Sequence, residues 1–319
     1  MADESNESAT ERYKRQRAER LAGPPDYLEP APPLTRDTMW RGLTRAGEIR
    51  LLVARTTQTT AHIAGRLHAS RDATRILGEL ISAGLLVRST LNPYAQFQML
   101  LRNPGSAGRL VVDVWEGEEG LRAAIAHPGV VEERDGPLIH DGLLEVVRVT
   151  RDSAAYRSSL QYAAGGIGAA VTEYLMRSEQ IVALVNVETA FDGGRLLASV
   201  GYLVQLMPEG TRADLDRLLA NVDAAGPLHL GMTEDDPDGR AWASRLLDGF
   251  GWDQVARETP RFKCRCSRER LLAALATLPR EDIEELVESG EPTVSTCEYC
   301  NETYTLSVPE LQMLLTPQQ

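Results

Sequence analysis

Two short stretches hold every thiol of this chain: FKCRCSRERL at 262–271, with Cys264 and Cys266 one residue apart, and STCEYCNETY at 295–304, with Cys297 and Cys300 two apart. No other cysteine occurs in the 319 residues. Thiolates are soft ligands, and four of them make the closed tetrahedral shell that suits Zn²⁺. None of the five histidines (His62, His68, His127, His140, His229) lies in this segment. An all-cysteine site is therefore expected, with one zinc ion per chain held by Cys264, Cys266, Cys297 and Cys300. Four thiolates leave no open position to activate water, so no catalytic residue is expected. What remains is the chemistry of sulfur itself, since the thiolate is the form that reacts with peroxide and hypochlorite-type oxidants.

Positioning the four sulfurs requires the chain between them to return on itself. Ser267 is placed to cap a helix, Pro279 to separate it from a second, and Gly290 to end that second helix. TVST then leads as a strand into Cys297, ETYTL leads out, and SVPELQMLL reads as a last helix with Pro309 in its first turn. A segment of about 60 residues has little core of its own. Structural zinc contributes roughly 10–16 kcal/mol of apparent folding energy, against about 5–15 kcal/mol for a whole domain. Loss of the metal is expected to unfold the segment.

Upstream, ordered sequence is expected from about Thr38. EIRLLVART (48–56) reads as a strand, and residues 56–87 as two helices, the second capped by Ser70 and carrying Ile76, Leu77, Leu80, Ile81 and Leu85 at helical spacing. A break follows at Asn92-Pro93. AQFQMLLR and RLVVDVW, joined by NPGSAG, read as a hairpin, and LRAAIAHP and LLEVVRVTR as further strands. GGIGAAVTEYLMRSEQIVALVNVE reads as a helix running into a strand, followed by the strand RLLASVGYLVQL. The spacing of Gly165, Gly166 and Gly168 fits neither phosphate-loop fingerprint, so close backbone packing is expected there. TRADLDRLLANVDAAG and DGRAWASRLLDGFGWDQVARE (238–258) read as helical.

The fold class expected is α+β: a disordered extension at 1–37, a mixed α/β N-terminal domain at 38–210 for substrate binding and dimerisation, a helical linker at 211–260, and a small zinc domain at 261–319. Net charge is −12, from 34 basic and 46 acidic residues. That balance argues against nucleic acid and anionic membranes as partners, although the extension does carry Arg12, Lys14, Arg15, Arg17 and Arg20. No apolar run reaches membrane-spanning length and no signal-peptide region is present, so a reducing, cytoplasmic setting is expected.

The pattern C-x-C-S-x-x-R, then, after the 30 residues that separate the two pairs, C-x-x-C-x-x-x-Y closely resembles the redox-switch domain of the heat shock protein 33 family, which are oxidation-activated chaperone holdases. YLMRSEQ (Ser178, Glu179, Gln180) and GYLVQLMPEG (Gln205, Pro208) resemble its N-terminal domain, and the resemblance covers about 45–319. It implies an ATP-independent holdase, inactive while reduced and zinc-bound. Oxidation would form Cys264–Cys266 and Cys297–Cys300 disulfides, release zinc, unfold the zinc domain and linker, and favour an active homodimer that holds unfolding client proteins. On reduction the clients would pass to refolding chaperones. The chain departs from the family pattern at Ser199-Val200-Gly201, where a double glycine is usual, and in its proline-rich extension.

Client binding is expected on apolar surface uncovered in the linker, near Trp242, Leu246, Leu247, Phe250 and Trp252. Two other classes fit the sequence less well. A zinc-stabilised regulatory or nucleic-acid-binding protein would need a basic face, whereas 258–319 has six basic and eleven acidic residues. A dithiol oxidoreductase using Cys297-x-x-Cys300 would need an exposed low-pKa thiol outside a metal cage.

Overall fold

A computed structural model describes residues 36–315, apart from 92–95, 103–104, 116–119, 150–154, 164 and 234. The Asn92-Pro93 break, the start of the NPGSAG loop and nearly all of the N-terminal extension lie outside the described residues. The chain divides into two compact units after Phe262.

The first unit contains β1 (Thr38–Thr44), β2 (Ile49–Arg55), α1 (Thr57–Leu67), α2 (Arg71–Thr90), β3 (Gln96–Arg102), β4 (Leu110–Trp115), β5 (Gly120–Ile125), β6 (Gly142–Val149), β7 (Tyr156–Tyr162), α3 (Gly166–Ser178), β8 (Ala183–Asp192), β9 (Arg195–Leu206), α4 (Arg212–Ala225), α5 (Arg240–Leu246), β10 (Trp252–Glu258) and β11 (Arg261–Phe262). One-turn helices occur at Glu132–Asp135 and Leu228–Gly231. One sheet has the order β10-β1-β2-β9-β8 and the other β11-β5-β4-β3-β6-β7. All pairings are antiparallel except β11 with β5. The α+β class expected from the sequence is the class found.

Helix α2 begins where Ser70 accepts a hydrogen bond from the Ala73 backbone N–H. It is buried nearly all round because it packs with both sheets. Strand side chains alternate between faces, and that alternation divides the first sheet. Leu52, Ala54 and Leu203 join the core around α2. Ile49, Leu51, Val53, Val200, Tyr202 and Val204 enter a second cluster on the opposite face. Strands β2 and β9 are therefore covered on both sides, which explains their near-continuous apolar sequence. The packing expected of the glycine cluster is found at Gly168, where a Cβ would stand 3.0 Å from the Val185 carbonyl oxygen. At the departure from the family pattern, Gly201 faces Val187 and Leu86 with no room for a Cβ, whereas Val200 adds apolar surface to the second cluster.

What covers that second face is the segment expected as a linker. Leu218 and Ala225 of α4, Leu228, Trp242, Ala243 and Leu246 of α5, and Leu247 are all buried against it. The Trp242 and Tyr202 rings lie 4.8 Å apart. Polar fastenings add to this. Glu188 on β8 accepts from the backbone N–H groups of Leu228 and His229, both at 3.2 Å, and pairs with His229 Nδ1 at 2.6 Å. Asn221 donates to the carbonyls of Leu246 and Asp248, and the Trp40 indole N–H donates to the carbonyl of Asp238.

The helical reading of 238–258 is corrected in its second half. Helix α5 ends at Leu246, and Trp252–Glu258 is a strand paired with β1. Its burial alternates strictly, Trp252, Gln254, Ala256 and Glu258 being half-buried and the residues between them exposed. A period of two and an open edge on β1, whose backbone groups need partners, outweigh helical propensity. Trp252 stacks on Trp40 at 5.5 Å.

One buried carboxyl in this unit makes stability depend on pH. Burial pushes Glu79 of α2 up to about 7, with Arg75 pulling it down and Glu132 pushing it up. Below the unfolded value both states hold the proton. As pH rises from about 4.5 to about 7 the unfolded chain gives up this proton while the buried carboxyl keeps it, so stability present in acid is lost across that window and the loss is complete near 7. The loss is at most about 3 kcal/mol. Glu79→Gln should match the parent in urea unfolding at about pH 4, below the unfolded value, and exceed it at about pH 8. An equal difference at both values would contradict this.

Candidate metal centre

The second unit is built from α6 (Arg268–Leu275), α7 (Arg280–Glu288), β12 (Thr293–Thr296), β13 (Thr303–Leu306) and α8 (Val308–Leu315). Its start and stop signals act as expected: Ser267 accepts from the Arg270 backbone N–H, Pro279 lies between the two helices, and Gly290 has a φ of +67°. Strands β12 and β13 form a hairpin, with Thr296 opposite Thr303. At its tip the Cys297 N–H donates to the Glu302 carbonyl at 2.8 Å and the Asn301 N–H to the Cys297 carbonyl at 2.9 Å. Asn301 takes the left-handed conformation that such a tight knuckle needs (φ +59°). Cys264 and Cys266 come from the extended segment just before α6.

The fold brings the two pairs to one point. Cys264 Sγ lies 3.7 Å from Cys297 Sγ, and Cys266 Sγ lies 3.4 Å from Cys300 Sγ. All four sulfurs fall within 4.8 Å of one another. A tetrahedral shell with bonds of about 2.3 Å to sulfur has edges of about 3.8 Å, so the spacing fits a single metal ion. All four cysteines that the sequence singled out are in the cluster. All five histidines belong to the first unit.

Electrostatics favour a cation there. Burial pushes the Cys300 thiol above its ordinary value, with the Cys266 and Cys264 sulfurs and the charge on Cys297 adding to the rise. Burial does the same for Cys297, against hydrogen bonds from the Tyr299 and Cys300 backbone, and the charge on Cys264 raises it further. Cys264 is also raised by burial, but the Cys266 N–H and the neighbouring sulfurs outweigh this and leave it lowered. Without a cation, burial and the neighbouring sulfurs therefore oppose ionisation of Cys297 and Cys300. A divalent ion relieves that repulsion and lets all four act as thiolates.

Three residues without an assigned role in the sequence reading also shape the site. The Tyr304 hydroxyl donates to Cys266 Sγ at 3.2 Å, which is the main reason its phenol is raised above the ordinary value. Arg268 donates to the Thr305 carbonyl at 2.8 Å and to the Glu310 carboxylate, while Glu310 accepts from the Ser307 backbone N–H at 2.8 Å. The tyrosine was visible in the C-x-x-C-x-x-x-Y pattern; the arginine–glutamate pair, 42 residues apart, had no local signal. Among the described residues of this unit only Ile283, Cys300, Leu306 and Leu311 are fully buried. One of the four, Cys300, belongs to the sulfur cluster itself, so the apolar core is minimal.

The family model described as Hsp33 protein matches residues 37–307. The chain belongs to the Hsp33 family. Among curated relatives, the 33 kDa chaperonin of Symbiobacterium thermophilum is 30% identical over 289 residues, covering 86% of this chain and 96% of that protein. The 33 kDa chaperonin of Synechococcus elongatus is 29% identical, covering 88% and 97%. The crystal structure of the 33 kDa chaperonin (heat shock protein 33 homolog) of Thermotoga maritima superposes with a TM-score of 0.77 at 22% identity, covering 88% and 98%, and so shares the fold. Hsp33 proteins are chaperones rather than enzymes, and a chaperone's partners are unfolded proteins. Among the described residues no helix is long and apolar enough to cross a membrane.

Proposed function

We propose that the chain is a cytoplasmic, redox-regulated, ATP-independent holdase, silent while reduced and zinc-bound and activated by oxidation of Cys264, Cys266, Cys297 and Cys300. The observation that carries this reading is the convergence of four sulfurs in a unit where, among the described residues, only three other side chains are buried. When bound, zinc holds the four sulfurs as thiolates and fastens an otherwise coreless unit. Oxidation removes the ligands, and the fastening is lost with release of the metal.

The disulfides proposed are Cys264–Cys266 and Cys297–Cys300. The shortest sulfur separations run crosswise, Cys264 to Cys297 and Cys266 to Cys300, but each sulfur of a tetrahedral set neighbours the other three. Chain connectivity makes the difference. A crosswise bond would close a loop of over 30 residues and keep the tail folded, worth about 3–4 kcal/mol. Bonds between near neighbours leave the segment free to lose its order, as a switch requires.

Order lost after Lys263 reaches the linker along the chain, because β11 ends two residues before Cys264 and β10 six residues before it. Release of β10, α5 and α4 would expose both the apolar linker side chains and the sheet face they cover, and that combined surface is the proposed client site. Exposed apolar area of this kind is also what an oxidised homodimer would partly bury. The net charge of −12 opposes nucleic acid as a partner.

The test is light scattering of an aggregating client protein at mild heat. The peroxide-treated chain should suppress aggregation near equimolar ratio, the reduced zinc-loaded chain should not, and dithiothreitol should reverse the effect. Equal protection by the reduced chain would contradict redox control.

A further inference from the structure

Each sulfur of the cluster has its own hydrogen-bond donor, and one of these differs in kind. Cys264 accepts from the backbone N–H of Cys266, Cys297 from those of Tyr299 and Cys300, and Cys300 from that of Glu302. Cys266 accepts from a side chain, the hydroxyl of Tyr304 at 3.2 Å. Tyr304 stands on β13, opposite Ser295 and four residues beyond Cys300. It therefore reaches from the hairpin of the second cysteine pair to a sulfur of the first. This donor is the one that a single substitution can remove without touching the backbone.

The geometry points to Tyr304 as a positioning residue whose hydroxyl, donated to Cys266, lowers the nucleophilicity of that sulfur. An O–H donated to a thiolate is a charge-assisted bond that ties up sulfur electron density, and a thiolate so stabilised attacks more slowly. Partners of this kind also orient ligands toward a metal. The inference rests on the proposed four-thiolate site.

The step restrained is attack of the Cys266 thiolate on peroxide. An S–O bond forms as the O–O bond breaks, the sulfur gives two electrons to the peroxide, and hydroxide departs. The Cys264 thiolate then displaces hydroxide from the resulting sulfenic acid, closing the S–S bond. The Tyr304 hydroxyl acts before the first of these steps, by withholding the electron pair that attacks.

The test compares Tyr304→Phe with the parent as full-length, reduced, zinc-loaded chains. Phenylalanine keeps the ring and removes the donor. Iodoacetamide is applied without oxidant, and alkylation of each cysteine is followed by mass spectrometry. The expected result is one zinc per chain in both proteins and a Cys266-to-Cys297 rate ratio about tenfold higher in Tyr304→Phe, the equivalent of one hydrogen bond to a charged group. Thr303→Ala is the control, because that hydroxyl pairs with Thr296 at 3.1 Å; its ratio should stay at the parent value. An unchanged ratio in Tyr304→Phe, or an equal rise in both variants, would overturn the inference. So would a Tyr304→Phe chain that cannot hold zinc, since the hydroxyl would then be a support of the fold rather than a brake on the sulfur. A parent chain that keeps its zinc under peroxide would instead contradict the proposed function, while the alkylation ratio would still judge Tyr304.

Discussion

A Cys300→Ser chain should purify with almost no zinc and with its second unit and the linker before it (211–260) cut readily by protease, while 38–210 stays resistant. Cys300 is the most buried of the four sulfurs, at 5% exposure. Serine offers a harder oxygen on a shorter bond, which completes a soft tetrahedral shell poorly. Roughly 10–16 kcal/mol of metal-derived folding energy is then at stake. Ile283, Leu306 and Leu311 are the side chains left to replace it, and burying each contributes only about 1.5–3 kcal/mol. Limited proteolysis with metal analysis checks the prediction. Stoichiometric zinc and a protease-resistant tail in Cys300→Ser would contradict it.

Leu246→Asp should act as a chaperone without oxidant. Leu246 is 0% exposed on α5, in the cluster that covers the sheet face of Ile49, Leu51, Val53, Val200 and Tyr202. A carboxylate at that position has no buried partner, and an uncompensated buried charge costs about 3–5 kcal/mol or more. The linker rests on seven buried side chains and a few hydrogen bonds, among them the Glu188 contacts with Leu228 and His229. Loss of the Leu246 contacts adds to that cost, and the gross burial energy of the linker is largely offset by the entropy of ordering it. The reduced, zinc-loaded variant should be nicked by protease within 211–260 and should suppress client aggregation, with its zinc retained. A variant that stays resistant and inactive would show that the linker is not the cover of the client surface.

The sulfur cluster was legible because four cysteines at short, paired spacings leave few chemical options, and because Ser267, Pro279 and Gly290 mark the helices that return the chain. Helix α2 was legible for the same local reasons, a capping serine and an apolar set at helical spacing. The strand Trp252–Glu258 was not, because its partner decides it. That partner, Thr38–Thr44, carries Arg41 and Gly42 mid-strand and gave no strand signal of its own. Tertiary pairing overrode local propensity in both strands at that end of the sheet. The five apolar residues expected to form client-binding surface in the linker are likewise split: Trp242 and Leu246 lie on α5, Leu247 and Phe250 follow it, and Trp252 opens β10. All five still pack in the same cluster. Neither the Arg268–Glu310 pair nor the Glu188–His229 pair was foreseeable, since each joins residues about 40 apart in sequence.

On the proposed function, metal-bound sulfur fastens the second unit and oxidation unfastens it. Hydrogen exchange of residues 263–315, followed with zinc content in one sample through peroxide treatment at mild heat, tests this most directly. The account predicts that amide protection and bound zinc fall together in that segment and that both return after dithiothreitol and added zinc. Full oxidation of all four cysteines with the amides still protected would contradict it.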